Sequence, residues 1–146
     1  MKNLYRELKN RQQKEMNAFP VGACYSKEQF ADMMHQWGMT VNDTDKIYSI
    51  GFGCYIRKCD HAAFHEMLDR HEQERKAAIA ADKTGNGYIY QMFLAELADH
   101  EYCITYDYED TFNALGLTVE EINADKRLLR GLQKAERDYL KHCEDY

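Results

Sequence analysis

Short stretches of helical periodicity, bounded by capping residues and glycines, most strongly constrain the fold of this 146-residue chain. Ser26 and Gln29 have the spacing of a capping box ahead of a segment whose apolar residues recur every three or four positions. Gly38 follows that segment, at the position where a left-handed residue ends a helix. Thr118 and Glu121 repeat the capping pattern later in the chain. The sequence therefore predicts several separate amphipathic helices.

The same periodicity predicts about five or six helices in total. The longer ones are expected over residues 2–17, 61–81, 88–100 and 125–142. Residues 46–50 instead alternate apolar and polar side chains, as a strand does, and 54–57 form a second such segment after Gly51-Phe52-Gly53. We therefore expect an α+β fold that is mainly helical, with a small antiparallel β-hairpin near 46–57, in a single domain over residues 1–146.

Composition limits the cellular setting. No apolar run approaches the roughly 20 residues that a membrane-spanning helix needs, and the first residues lack the apolar core of a secretory signal. The five cysteines are an odd number, which disfavours a disulfide scaffold. We expect a cytoplasmic protein with no membrane partner.

Cysteine and histidine are most concentrated just after the predicted hairpin. Cys54, Cys59, His61 and His65 offer thiolate and imidazole groups, which are the ligands that zinc prefers. His61 and His65 are four residues apart, so they share one face of a helix. The sequence thus suggests a structural zinc site with these four ligands. His35, His71, His100 and Cys24 are alternative ligands, and a coincidental run of small and polar residues is the competing interpretation.

Negative charge accumulates late in the chain. The net charge is −6, and residues 99–125 hold eight acidic side chains without any Lys or Arg. Such a segment repels phosphate, so we expect no direct contact with nucleic acid. Tyrosines alternate with these acids and provide rigid contact area, which favours a surface for a basic protein partner. The predicted partner-binding residues are Glu101, Tyr102, Tyr106, Asp107, Tyr108, Glu109 and Asp110. A solvated face with tyrosines in the core is the alternative.

Catalytic signatures are absent from the sequence. It contains no nucleophile elbow, no His-Glu-x-x-His pair and no phosphate-binding loop. A hydrolase that uses the Cys/His cluster remains a less favoured alternative, because neither an oriented base nor an oxyanion hole is evident. Residues 111–122 have the rhythm of a helix-turn-helix. However, a DNA reader needs Arg, Lys, Asn or Gln on its second helix, and here that helix begins with Val119, Glu120 and Glu121. We therefore interpret this segment as an ordinary helical corner.

Several short runs of the sequence together carry a family resemblance. The runs are Asp45–Gly51, Tyr55–Lys58, Phe64–His71, His100–Ile104, Ala114–Thr118 and Glu121-Ile122. Over about residues 1–135 the chain resembles a small uncharacterised family of bacterial mobile-element and prophage proteins. Proteins of this size and setting include anti-CRISPR inhibitors of Cas9-type nucleases, and by its setting the resemblance implies that this chain is a candidate for that class.

These observations together favour a non-enzymatic binder. We expect a cytoplasmic inhibitor that docks through its acidic surface on a nucleic-acid-processing enzyme, most specifically a Cas9-type nuclease, whose nucleic-acid channel is positively charged. Zinc is a possible structural cofactor. The alternative is a zinc-stabilised structural or regulatory module of a mobile element.

Overall fold

The computed structural model describes residues 2–144 of the chain, with side chains through residue 143. In this part of the chain there are eight α-helices and a three-stranded antiparallel sheet. The predicted mainly helical α+β class is confirmed. The helix count exceeds the expected five or six because residues 102–124 fold into three short helices.

The elements follow one another along the chain with short connections. The helices are α1 (Leu4–Ala18), α2 (Lys27–Gln36), α3 (His61–Ala81), α4 (Tyr88–Asp99), α5 (Tyr102–Thr105), α6 (Glu109–Leu115), α7 (Val119–Ala124) and α8 (Lys126–Glu144). The strands are β1 (Gly22–Ala23), β2 (Ile47–Gly51) and β3 (Cys54–Arg57). None of these described helices combines the length and the apolar character needed to cross a membrane.

The described residues group into two compact units. Residues 12–73 form one, here called the sheet unit, and residues 2–11 together with the described residues from 74 onward form the other, here called the helical unit.

The sheet unit is built on the strand order β1-β3-β2. The hairpin of β2 and β3 lies where the alternation predicted it, with Ile47 paired to Arg57 and an irregularity between Ser49 and Gly51. Strand β1 has only two residues, too few for a periodic pattern, and sequence reasoning missed it. Ile56 on β3 is fully buried and packs with Phe64 and Met67 of α3.

The helical unit packs α4 against α8. Ile89, Phe93 and Leu97 of α4 and Ala135 of α8 are fully buried. The two helices approach closely at Gly131, where an added Cβ would lie 2.5 Å from Ile89 Cγ2. A larger residue there would separate the helices, because protein cores are close-packed.

The turn before α4 is organised by Asp82. One carboxylate oxygen accepts hydrogen bonds from the backbone N–H groups of Gly87 and Ile89, both at 3.0 Å, and the other accepts from Gly85 at 2.9 Å. Burial raises the pKa of Asp82, but these backbone donors outweigh it and lower the pKa. Asp82 thus satisfies N–H groups that the first turn of α4 leaves unpaired.

Candidate functional site

A surface groove in the helical unit coincides with much of the predicted partner-binding segment. It has a volume of about 510 Å³, and we call it the acidic–aromatic groove. Its lining combines two carboxylates with aromatic and aliphatic side chains. The lining residues are Tyr106, Asp107, Tyr108, Glu109, Phe112, Asn113, Leu117, Thr118 and Val119.

Two reversals of the backbone place this segment on the surface. Glu101 and Tyr106 flank the single turn of α5, and each has a left-handed φ of 52°. The short segment between them forms a single helical turn over Tyr102–Thr105. Neither reversal carries glycine or asparagine, the residues that usually signal this conformation, so local sequence gave no indication of it.

A stack of three aromatic rings supports the wall of the groove. The Tyr108 ring is parallel to that of Phe112 at 5.1 Å between centroids and stacks on Tyr102 at 4.6 Å. Both tyrosine hydroxyls donate hydrogen bonds to Glu136 on α8, the one from Tyr102 at 3.0 Å. Burial raises the pKa of Tyr108, and the Glu136 carboxylate raises it further. Tyr108 is therefore a neutral hydrogen-bond donor held in a fixed orientation.

The acids around the groove are exposed, and in the described part of the chain no basic side chain compensates their charge. Within residues 2–144, no lysine or arginine lies within salt-bridge distance of Glu101, Asp107, Glu109 or Asp110. By contrast, Asp99 is 3.6 Å from Lys9, at the edge of the acidic segment. The groove therefore presents uncompensated negative charge.

Part of this acid placement has a local cause. Glu109 and Asp110 occupy the first turn of α6, where the helix dipole favours negative charge. Asp107 accepts a hydrogen bond at 2.9 Å from the backbone N–H of Glu109, which closes the turn that begins the helix. The same carboxylates can therefore stabilise the start of α6 and give the groove its negative charge.

The seven predicted partner-binding residues separate into three groups. Tyr106, Asp107, Tyr108 and Glu109 line the groove, and Glu101 and Asp110 are exposed outside its lining. Tyr102 is only 5% exposed. Its ring is part of the aromatic stack, and its contact with a partner stays a prediction.

Sequence reasoning missed the apolar half of the groove. Phe112, Leu117 and Val119 belong to the helical corner of α6 and α7, where Gly116 has a left-handed φ of 67°. That corner was expected, but only as a structural element. Val119 is 54% exposed, which is high for an aliphatic residue and is visible only in the folded chain.

The predicted zinc ligands meet only in part. His61 and His65 lie on one face of α3, with their Nε2 atoms 3.0 Å apart. Cys54 begins β3 and is half-buried, while Cys59 is exposed in the 3₁₀ turn before α3. Among the described residues, no three of these four place ligand atoms within 4.8 Å of one another.

Two of the alternative histidine ligands have other partners. His71 is buried, and its Nε2 lies 3.4 Å from a Glu15 carboxylate oxygen within the sheet unit. His100 is 3.3 Å from Glu96 within the helical unit. These histidines lie within ion-pair distance of carboxylates.

The sheet unit contains a second cavity, of about 440 Å³. Its polar lining consists of Glu66 and an ion pair in which the two terminal nitrogens of the Arg70 guanidinium bind the Glu15 carboxylate, one of them at 2.9 Å. The hydrogen bond from Arg70 lowers the pKa of Glu15 to about 2 against a smaller opposing effect of burial, and His71 lowers it further. The charges of Glu15 and Arg70 compensate each other at this cavity.

A buried polar cluster in the helical unit is structural. The Glu96 carboxylate is nearly fully buried and accepts hydrogen bonds from Tyr5 Oη and, at 3.1 Å, from Lys9 Nζ. Burial raises the pKa of Glu96, but these donors outweigh it and lower the pKa. A carboxylate held in this way is a poor proton acceptor, so the cluster does not indicate acid–base catalysis.

Comparison with known proteins places the chain in a family but not in a functional class. No curated protein and no solved structure matches it. The sequence matches the family of unknown function DUF7659 over residues 4–138, a span that includes the entire acidic–aromatic groove. Because this match extends over most of the chain, the protein belongs to the family of unknown function DUF7659.

Proposed function

We propose that this protein is a non-catalytic binding module that holds a basic segment of a partner protein in the acidic–aromatic groove. The observation that carries the proposal is the combination, in one groove, of two carboxylates and an exposed apolar surface. Asp107 and Glu109 have no compensating lysine or arginine among the described residues, and Tyr106 and Val119 provide the apolar surface. Carboxylates that form no ion pair within the described residues can bind the lysine or arginine of another protein. Exposed apolar area beside it adds affinity when it is covered.

The groove chemistry favours a particular kind of segment. Tyr106 is 67% exposed, and its ring can receive the planar guanidinium of an arginine. Asp107 and Glu109 then lie beside that cation, while the exposed Val119 and the half-buried Leu117 offer contact to an apolar neighbour. The expected ligand is a peptide segment in which arginine or lysine stands next to an apolar residue. Nucleic acid is disfavoured because phosphate is repelled by the same carboxylates.

The narrower form of the proposal is an anti-CRISPR inhibitor of a Cas9-type nuclease, acting in the bacterial cytoplasm. Such nucleases carry a positively charged channel for their heteroduplex. A protein with an acidic, aromatic groove suits a surface that otherwise binds nucleic acid. The sequence resemblance to mobile-element proteins supports this choice of partner.

The decisive variant neutralises the groove without altering its shape. E101Q/D107N/E109Q/D110N removes four negative charges and keeps the side-chain volumes. The matched control, E28Q/D32N/D45N/D69N, removes the same number of charges from exposed positions in the sheet unit. Binding of fluorescent peptides that alternate arginine and leucine is measured by anisotropy, and inhibition of DNA cleavage by a purified Cas9-type nuclease is measured in parallel.

We expect the groove variant to weaken peptide binding by about tenfold or more. The control should change binding far less, because salt screens the attraction between the peptide and charges that lie far from it. Y106A tests the aromatic contact without changing charge and should also weaken binding. Equal effects of the two quadruple variants would show that net charge, not the groove, binds the peptide. If the protein binds the peptides but does not inhibit DNA cleavage, the nuclease proposal is rejected and the proposal of a peptide-binding groove is kept.

A second candidate function, a zinc-stabilised structural or regulatory module, rests on His61 and His65. Their Nε2 separation of 3.0 Å is close to the span of two nitrogen ligands at roughly 2.0–2.1 Å from one zinc ion. We expect H61A and H65A each to abolish zinc binding measured by titration calorimetry, and H35A, at an exposed histidine of α2, to leave it intact. Zinc binding that survives both of the first two variants would contradict this candidate.

A further inference from the structure

Two cysteines from separate helices of the helical unit meet at one buried tyrosine. The Tyr139 hydroxyl donates a hydrogen bond to the sulfur of Cys103 at 3.2 Å, and the Cys103 backbone N–H donates to the same hydroxyl at 3.5 Å. Cys143 lies one helical turn after Tyr139 on α8, so the two side chains share a face. Cys103 and Cys143 both pack against the same buried core cluster, of which Tyr139 is a member.

The two thiols differ chemically. The hydrogen bond from Tyr139, followed by that from Cys143, lowers the pKa of Cys103. The contact with Cys103 and then burial raise the pKa of Cys143. A thiol whose charged form is stabilised is the better nucleophile at neutral pH, because the thiolate is the species that attacks. Both cysteines are only half-buried, so a small oxidant has access.

We propose that Cys103 and Cys143 form an oxidation site at which a hydroperoxide converts the two thiols into an intramolecular disulfide between α5 and α8. Cys103 is the residue that the peroxide oxidises first, and Cys143 is the resolving residue that forms the disulfide with it. The proposal is independent of the binding function, since it rests on the positions of these two cysteines and Tyr139.

The reaction balances with hydrogen peroxide as the oxidant. The Cys103 thiolate attacks one peroxide oxygen, the O–O bond breaks, and the leaving hydroxide takes up a proton to become water. The resulting sulfenic acid is then attacked by the sulfur of Cys143, which forms the S–S bond and releases a second water. Two thiols are oxidised by two electrons in total, and the peroxide is reduced by two.

The native contacts already bring the two helices together at this point. Tyr102, the neighbour of Cys103 on α5, donates its hydroxyl hydrogen bond to Glu136 on α8 at 3.0 Å. The disulfide would therefore add a covalent link where hydrogen bonds from Tyr102 and Tyr139 already tie α5 to α8.

The test uses the full-length reduced protein with one equivalent of hydrogen peroxide. Remaining thiols are blocked with N-ethylmaleimide, and the disulfides are identified by mass spectrometry of a non-reducing digest. We expect a Cys103–Cys143 linkage as the main product. In C143S we expect a sulfenic acid on Cys103, trapped by dimedone. Exposure alone would make Cys59 the first residue to react, because Cys59 is the exposed cysteine.

A tyrosine variant separates the chemical role of Tyr139 from a packing role. Y139F should slow alkylation of Cys103 by iodoacetamide at pH 7 roughly two- to tenfold, as expected for the loss of one hydrogen bond to the thiolate. The difference should disappear at a pH where the thiol is fully ionised. Y90F is the control, because it removes a 2.7 Å hydrogen bond to Asp138 on α8 and touches neither thiol.

Three outcomes would overturn the proposal. One is preferential oxidation of Cys59, and another is a disulfide between other cysteines while Cys103 and Cys143 stay reduced. The third is a wild-type protein in which Cys103 stops at the sulfenic acid as it does in C143S, since Cys143 would then not be the resolving residue.

Discussion

Phe52 carries an aromatic side chain in a backbone conformation that glycine normally occupies. Its φ is 54°, between Gly51 and Gly53 with φ values of 95° and 75°. The side chain is 97% exposed, so it makes little packing contact that could offset the strain. A left-handed conformation costs an L-residue roughly 1–2 kcal/mol. This strain was not visible in the sequence, which indicated only that a turn lies between the two strands.

F52G is therefore expected to stabilise the protein by about 0.5–1 kcal/mol, after allowance for the greater freedom of glycine in the unfolded chain. The free energy of unfolding is measured in urea by the fluorescence of Trp37, the single tryptophan, which lies in the same unit. F52A is the control, because it removes the ring and retains the strained Cβ. If F52A stabilises as much as F52G, exposure of the ring and not backbone strain is responsible.

At the scale of elements, capping signals were accurate where the cap is local. Ser26 accepts a hydrogen bond from the backbone N–H of Gln29, and the reciprocal capping box of Thr118 and Glu121 is present at the start of α7. These bonds join residues three positions apart, so the amino-acid sequence alone contains both partners. The same is true of the hairpin, in which strands only two residues apart in the sequence pair with each other.

Elements that depend on distant partners were not predictable in this way. The one-turn helix α5 has too few residues to be stable alone, since isolated helices of that length do not form in water. It is held by Tyr102, which is buried and bonded to Glu136 of α8, 34 residues later. The role of Asp82 before α4 was not predicted either. Its carboxylate accepts hydrogen bonds from four backbone N–H groups, which only the folded turn brings together.

At the scale of the whole molecule, stability in acid depends on carboxylates that ion pairs hold in the charged form. The pKa of Glu15 is about 2, mainly because of Arg70, and the pKa of the buried Glu96 is lowered by Tyr5 and Lys9. In both cases the folded state binds its proton less readily than the unfolded chain does. Their contribution is therefore complete above the ordinary glutamate value of 4.5 and is lost as the pH falls below it.

We accordingly expect the free energy of unfolding to decrease steadily between pH 4.5 and pH 2. E96Q should lower stability at pH 7 by about 1.5–3 kcal/mol, the usual value of hydrogen bonds to a buried charge, and have less effect at low pH. E15Q should flatten the acid limb of the stability curve. The measurement is urea unfolding followed by circular dichroism from pH 7 to pH 2. A parallel downward shift of the E15Q curve at every pH would contradict the assignment.

The domain organisation of the chain and the identity of its partner were predicted from the sequence. A single domain over residues 1–146 was expected, and the described residues group into two compact units that are each well packed. The anti-CRISPR function, its nuclease partner, the absence of catalysis and the zinc site likewise stay predictions, because family membership in DUF7659 carries no known function.

The amino-acid sequence by itself determined the helical class, the hairpin, the N-caps at Ser26 and Thr118 and the acidic segment, because each depends on residues that are close in the sequence. Only the tertiary structure decided which of those residues face solvent. Tyr5 meets Glu96 across 91 positions, and Cys103 meets Tyr139 across 36. Packing of α8 buries Tyr102 and leaves Tyr106 exposed, although both stand in the same run of tyrosines and acids. Burial is a property of the assembled core, and local periodicity cannot specify it for side chains in irregular turns.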